Sequence, residues 1–188
     1  MFSTPLGDGA QLCPLEPWQA PELAACTDRV REHLTPWLPW AHTVTDTASA
    51  RAFLQRYADM QAADEGRICG IRRGGELVGG MLFRRFSASE GSCELGAWLA
   101  PEAQGRGLVT TAARHMIDWA VGERGLTRVE WMVSPDNGPS IAVAGRLGMT
   151  HEGTLRSVFP MGGRRHDLQV WAVLAHEWQA ADGNGAHG

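Results

Sequence analysis

The stretch Gln104-Gly105-Arg106-Gly107-Leu108 runs into Val109-Thr110-Thr111 and a series of helix formers. It has the make-up of a loop whose backbone N–H groups open toward an anion. Glycines at 105 and 107 let the main chain approach a ligand with no Cβ in the way. A helix starting immediately afterwards offers unpaired N–H donors and about half a positive charge at its first turn, which suits phosphate. A dinucleotide-binding loop is the competing reading. It fails because Thr110 stands where G-x-G-x-x-G needs its third glycine, and because the preceding strand does not run directly into the loop. A second candidate is Asn137-Gly138-Pro139-Ser140. Asn137 is a good N-cap, Pro139 sits where its missing N–H is harmless, and Ser140 is a first-turn hydroxyl that can bond its own backbone. Glu94, Glu130, Asp136 and Glu152 are the candidate bases. Strand alternation puts Glu94 on the same face as Gly96 and Trp98.

Composition narrows the classes. At 188 residues the chain supports one domain with a substantial core and is too short for two comfortable ones. A hydrophobic share of 44% and a charged share of 20% are those of an ordinary globular protein. The net charge of −4 argues against nucleic acid as the main partner, which needs a basic surface. The cysteines at 13, 26, 69 and 93 have no C-x-x-C spacing, and buried thiols in a reducing compartment are the favoured reading. No histidine pair has helical metal-ligand spacing, so no metal is expected. The first nine residues lack a basic start and an apolar core, and no apolar run approaches the ~18 residues that span a bilayer. A cytoplasmic protein without a membrane partner is expected.

The elements that must position these residues follow from periodicity. A first strand is predicted over Ala10 to Leu15, then a helix from Pro17 with Leu23, Ala24, Val30 and Leu34 at roughly helical spacing. Thr35-Pro36-Trp37-Leu38-Pro39-Trp40 must break it, and Trp37 and Trp40 form an aromatic loop whose plainest role is a hydrophobic clamp between two helices. A second helix is predicted from a cap near Thr45 or Thr47 through Met60. Strands over 67–73, 76–86 and 91–99 follow, the first two joined by a Gly74-Gly75 turn. A helix over 107–123, a strand over 127–133, a helix over 138–147 and a hairpin over about 150–159 and 165–174 complete a mixed α/β layer fold. The domain is expected over 9–178, with 179–188 a disordered tail rich in Gly, Asn and Asp.

The pattern E-L-G-x-W-L-x-P-x-x-Q-G-x-G, followed by N-x-x-S-x-x-x-x-x-x-L-G-M-x-x-E-G, spans residues 93–156. In these residues the chain resembles the GCN5-related N-acyltransferases (GNAT), most of all the RimJ/RimL branch that modifies ribosomal-protein N-termini. A weaker resemblance extends from residue 9 to about 178. It implies a single-domain fold with a twisted mixed sheet of six or seven strands and helices on both faces. It also implies acetyl-CoA or another acyl-CoA as co-substrate, and transfer to a primary amine, either a protein N-terminus or a small amine. A homodimer is compatible with it.

The resemblance further assigns roles. Gln104, Gly105, Arg106, Gly107, Leu108, Val109 and Thr110 would hold the coenzyme pyrophosphate, although Val109 stands where a small residue is usual. At Trp98 and Leu99 the family's strand splays and its backbone pairs with the pantetheine amides, a form of β-augmentation; Pro101 fits a strand that ends there. Asn137 would lie against the pantetheine arm and Ser140 near the thioester sulfur, which makes Ser140 and Glu94 the catalytic candidates. Trp37 and Trp40 would line the acceptor pocket. Two departures stand out. Phe159 replaces a carboxylate implicated as a base in relatives, and Trp171 stands where they carry tyrosine, the one tyrosine here being Tyr57. A coenzyme-A-binding sensor without turnover is the alternative function.

Overall fold

The computed structural model describes residues 3–185. Eight strands form one mixed sheet: β1 (Thr4–Gly7), β2 (Ala10–Pro14), β3 (Arg67–Arg73), β4 (Glu76–Ser87), β5 (Ser92–Leu99), β6 (Arg128–Val133), β7 (Thr150–Met161) and β8 (Arg164–Leu174). Hydrogen-bonded neighbours run β1-β2-β3-β4-β5-β6-β8-β7. The helices are α1 (Ala20–Leu34), α2 (Trp40–Thr43), α3 (Thr47–Ala62), α4 (Leu108–Asp118), α5 (Gly138–Arg146) and α6 (Ala175–Gly185). The chain divides into two compact units, 1–84 with 96–112 and 85–95 with 113–188.

In the first unit β1 to β4 form an antiparallel meander. The β1–β2 hairpin adds a strand ahead of the predicted first one. Its turn is tight enough that Gly7, Asp8 and Gly9 all take positive φ (82°, 52° and 68°). The segment is too short and too glycine-rich to show an alternating pattern. A bulge interrupts the β3–β4 register between Ile71 and Arg72. α1 and α3 close over a core of Leu15, Leu23, Leu34, Leu54, Ile68 and Trp98. α3 is capped by Asp46, whose carboxylate accepts from Ser49 N–H at 2.7 Å while the Ser49 hydroxyl takes the Asp46 N–H. The cap therefore falls between the two threonines expected to supply it, because a carboxylate is the stronger acceptor at that position.

In the second unit β5 and β6 are parallel from Ser92↔Arg128 to Leu95↔Trp131, and β5 runs on to Leu99. Parallel strands need a crossover, which α4 supplies. β8 lies antiparallel between β6 and β7. α4 ends in a π-helical turn over Trp119–Glu123, and Trp119 packs on Phe86 with ring centroids 5.6 Å apart. α6 runs into the segment expected to be a disordered tail, since Ala175 to Ala181 are mostly good helix formers and Trp178 is anchored by donation from Nε1 to Asp118 Oδ1 at 2.7 Å. Residues 186–188 of that segment lie outside the described residues.

Candidate active site

The loop expected to bind an anion, Gln104 to Thr110, takes the conformation its glycines require. A 3-10 turn over Pro101–Ala103 delivers the chain to Gln104, and Gly105 and Gly107 follow at φ 75° and 72°. A side chain at φ near +70° is strained by Cβ contact with its own carbonyl. A Cβ built on either glycine meets nothing within 4 Å, so the glycines serve the backbone and leave the space above it open. Leu108, 1% exposed, anchors the start of α4 in the core. The first helical bond runs from Thr111 N–H to Gly107 O at 2.9 Å, which leaves the N–H groups of Leu108 and Val109 ahead of the helical ladder. Val109 and Thr110 are half-buried; Gln104, Gly105, Arg106 and Gly107 are exposed.

Two side chains of this loop are held by residues that sequence reasoning did not single out. The Gln104 amide nitrogen lies 3.0 Å from His33 Nε2 at the end of α1. Arg106 Nη1 pairs with Asp8 Oδ2 at 2.8 Å, and Arg73 Nε reaches the same oxygen at 3.2 Å. Asp8 therefore joins the β1–β2 turn, the end of β3 and the anion loop. The Arg106 hydrogen bond, with Arg73 behind it, holds its carboxyl below the usual carboxylate range. A lone acidic residue between two glycines looks in sequence like turn chemistry only.

β5 brings Trp98 and Leu99 against β4. A Cβ on Gly79 would lie 2.6 Å from Leu99 Cδ1 and 2.7 Å from Trp98 O, and one on Gly80 would lie 2.5 Å from Trp98 Nε1. The adjacent glycines of β4 are what allow this approach, the meaning that glycine inside a strand commonly has. The Trp98 side chain is core: 4% exposed, edge-on to Trp40 at 5.5 Å, with Trp40 in turn 5.1 Å from Phe53. Trp40 opens α2 and clamps α3 and β5 together, whereas Trp37 is half-exposed on the connecting turn. Burial along β5 alternates through Cys93 and Leu95, then slips by one residue at Gly96–Ala97, so that Trp98 and Ala100 are buried. Strict alternation, which put Glu94 on the face of Trp98, does not survive that slip.

The second unit holds Glu94, Asn137 and Ser140. Asn137 caps α5, its Oδ1 accepting from Ser140 N–H at 3.2 Å. The Ser140 hydroxyl oxygen accepts a hydrogen bond from Trp131 Nε1 at 3.0 Å. Among the other carboxylates considered as bases, Glu130 binds Arg85 at 2.9 Å and Arg128 at 2.8 Å. Arg128 also grips both Glu152 oxygens, at 2.8 and 2.5 Å, and those bonds hold the Glu152 carboxyl below its ordinary range. A carboxylate neutralised in this way is a weak proton acceptor at neutral pH. Asp136 is exposed and Glu94 half-buried. Trp171 commits its indole N–H to Gln169 Oε1 at 2.9 Å, and Tyr57 is buried in α3.

A sequence profile described as the acetyltransferase (GNAT) domain matches residues 11–150. The chain belongs to the GNAT acetyltransferase family. YdaF of Bacillus subtilis (strain 168), named as a candidate ribosomal N-acetyltransferase, is 28% identical over 184 residues, covering 95% of this chain and 98% of its own. The ribosomal-protein-serine acetyltransferase of Escherichia coli (strain K12) is 25% identical over 137 residues, or 73% of this chain and 76% of its own. Among solved structures, RimL, the ribosomal L7/L12 α-N-protein acetyltransferase in complex with coenzyme A, superimposes with a TM-score of 0.86 at 22% identity. That superposition covers 93% of this chain and 99% of RimL, and at that identity the likeness is one of fold. As a GNAT protein the chain is an acyl-CoA-dependent N-acetyltransferase. Its buried thiols have the wrong acidity for an acyl carrier. Burial pushes Cys26 up to about 11, and Cys69 and Cys93 up to about 12. All three are thiols, not thiolates, at neutral pH, and the thiolate is the nucleophile.

Proposed function

We propose that this GNAT enzyme transfers an acetyl group from acetyl-CoA directly to the α-amine of a protein N-terminus, in a ternary complex. The observation that carries the reading is the Gln104–Thr110 loop: two positive-φ glycines, nothing above their backbone, and an open helix N-terminus. On this reading the N–H groups from Gly105 to Val109 bind the pyrophosphate, and Arg106 adds charge. The backbone of β5 beyond Leu95, past its last residue in register with β6, pairs with the pantetheine amides and polarises the thioester carbonyl. Asn137 meets the pantetheine arm and Ser140 the sulfur, while Trp37 and Trp40 select the acceptor.

The choice of acceptor rests on proton affinity. The amine must be neutral to attack. An α-amino group titrates near 7.7–8.0 and is substantially neutral near pH 7.5, whereas lysine near 10.4 needs about 4 kcal/mol of help. Glu152, whose carboxyl Arg128 holds below the ordinary range, supplies little of that help. Independently of that pairing, Glu94 is proposed to take the proton that the nitrogen releases once the C–N bond has formed. The ribosomal-protein names of the relatives point the same way. The test is thiol release with acetyl-CoA and succinyl-CoA against peptides bearing either a free N-terminus or an acetylated N-terminus and a lysine. Acetyl transfer confined to the free N-termini is expected. Turnover on lysine or small amines alone would overturn the acceptor, and turnover only with succinyl-CoA would overturn the donor.

A further inference from the structure

Trp131 sits on β6 at the last residue in parallel register with β5, opposite Leu95, and faces Trp171 across the antiparallel β6–β8 pair. It is 3% exposed, and its Nε1–H donates to Ser140 Oγ at 3.0 Å. Ser140 stands in the first turn of α5, its own N–H bound by Asn137 Oδ1. Indole nitrogen is a donor only, whereas a serine hydroxyl has one proton and two acceptor lone pairs. The direction of the bond is therefore settled: the oxygen accepts from the tryptophan, one lone pair is filled, and the hydroxyl proton must point away from the ring. A first-turn serine without such a partner rotates among its staggered positions or turns back on its own backbone.

We propose that Trp131 is a positioning residue for acyl transfer, holding the Ser140 hydroxyl as a donor toward the departing coenzyme sulfur. The inference rests on the placement of Ser140 at the sulfur in the proposed function. The amine lone pair forms the new C–N bond, the C–S bond breaks, and its electron pair goes to sulfur. Ser140 passes its proton to that sulfur as the bond breaks and is reprotonated by the one proton that Glu94 takes from the nitrogen of the adduct, so that amine and thioester become amide and thiol. While the proton is in transit, negative charge develops on Ser140 Oγ. A fixed N–H aimed at that oxygen stabilises the charge, and because the donor ring is itself buried the dipole is held in place without reorganisation. The same bond contributes nothing to holding the nucleotide end of the coenzyme, so its removal separates kcat from affinity.

The test replaces Trp131 in the full chain by Phe and, separately, by benzothienylalanine, which keeps the two-ring shape and puts sulfur in place of the N–H. Melting temperature and coenzyme A affinity check that the variants are folded. Expected is a fall in kcat of about fivefold in both, the size of one neutral hydrogen bond, with the coenzyme Kd unchanged. In a Ser140→Ala background the same replacements should cost nothing more, because the oxygen they act through is gone. Should Phe lower the melting temperature, the benzothienyl variant carries the comparison. Wild-type kcat in the benzothienyl variant, or a loss that persists undiminished in Ser140→Ala, overturns the positioning role while leaving Ser140 in place. Wild-type kcat in Ser140→Ala alone overturns the placement of Ser140 itself, and the inference with it.

Discussion

Gly107 carries two demands at once, a left-handed backbone and open space above it. A Glu there would pay about 1–2 kcal/mol in backbone strain and would bring a carboxylate to the place proposed for phosphate. Gly107→Glu should therefore weaken coenzyme A by at least tenfold, about 1.4 kcal/mol, in a calorimetric titration, with the circular dichroism of the wild type. Unchanged affinity would remove the loop from the site. Ser140 is the opposite case, because its side chain matters and its backbone is ordinary helix. Ser140→Ala should lower kcat at least tenfold, about 1.4 kcal/mol of barrier, and leave coenzyme affinity nearly intact. A coenzyme thiol is a far less basic leaving group than an amine, so the demand on the acid role proposed for Ser140 is modest.

At the scale of elements, the β1–β2 turn restrains the anion loop through Asp8. Asp8 neutralises one of the two arginines it bridges, Arg73 and Arg106. Asp8→Asn should raise coenzyme affinity at low ionic strength, and the gain should fade as salt screens the exposed charges. A gain of the same size at high salt, or none at low salt, would show that Asp8 does not compete with phosphate. The same contact has a pH signature. Because the folded-state carboxyl titrates below its ordinary value, its contribution to stability is present above the unfolded pKa. It is lost as pH falls through the depressed folded value. The melting temperature of wild type should therefore exceed that of Asp8→Asn at neutral pH, and the gap should close on acidification below about pH 4. A gap that persists in acid would assign the difference to backbone strain in the turn.

For the whole molecule, the buried state of Cys26, Cys69 and Cys93 bears on the kinetic order proposed above. Cys26, Cys69 and Cys93 are protonated and enclosed by core side chains, so a covalent acyl-cysteine on any of them needs a nucleophile that the fold suppresses. Direct transfer requires both substrates to be bound together. Initial-rate lines at varied acetyl-CoA and amine should intersect, and intact mass after incubation with acetyl-CoA alone should show no acyl adduct. Parallel lines with a stoichiometric adduct would replace the direct mechanism by an acyl-enzyme.

The residues that punctuate this chain determined most of its course. Gly74-Gly75 marked a hairpin, Pro36 and Pro39 ended a helix, and the glycines at 105 and 107 before a helical stripe marked the loop. These are local constraints on φ and on hydrogen-bond donors, and the nearest few residues enforce them wherever the segment lies. The chain therefore carried its elements, and the left-handed turns at Gly105 and Gly107, in plain sequence. What it did not carry was which side chains stand opposite one another across long separations. Asp8 meets Arg106 from 98 residues away, Gly80 makes room for the Trp98 ring, and Arg128 pairs with both Glu130 and Glu152. Trp131 turns toward Ser140 only because a strand and a helix first turn share one unit. Such pairings follow from strand order and register, and those are chosen by burial summed over the sheet, which no single segment contains.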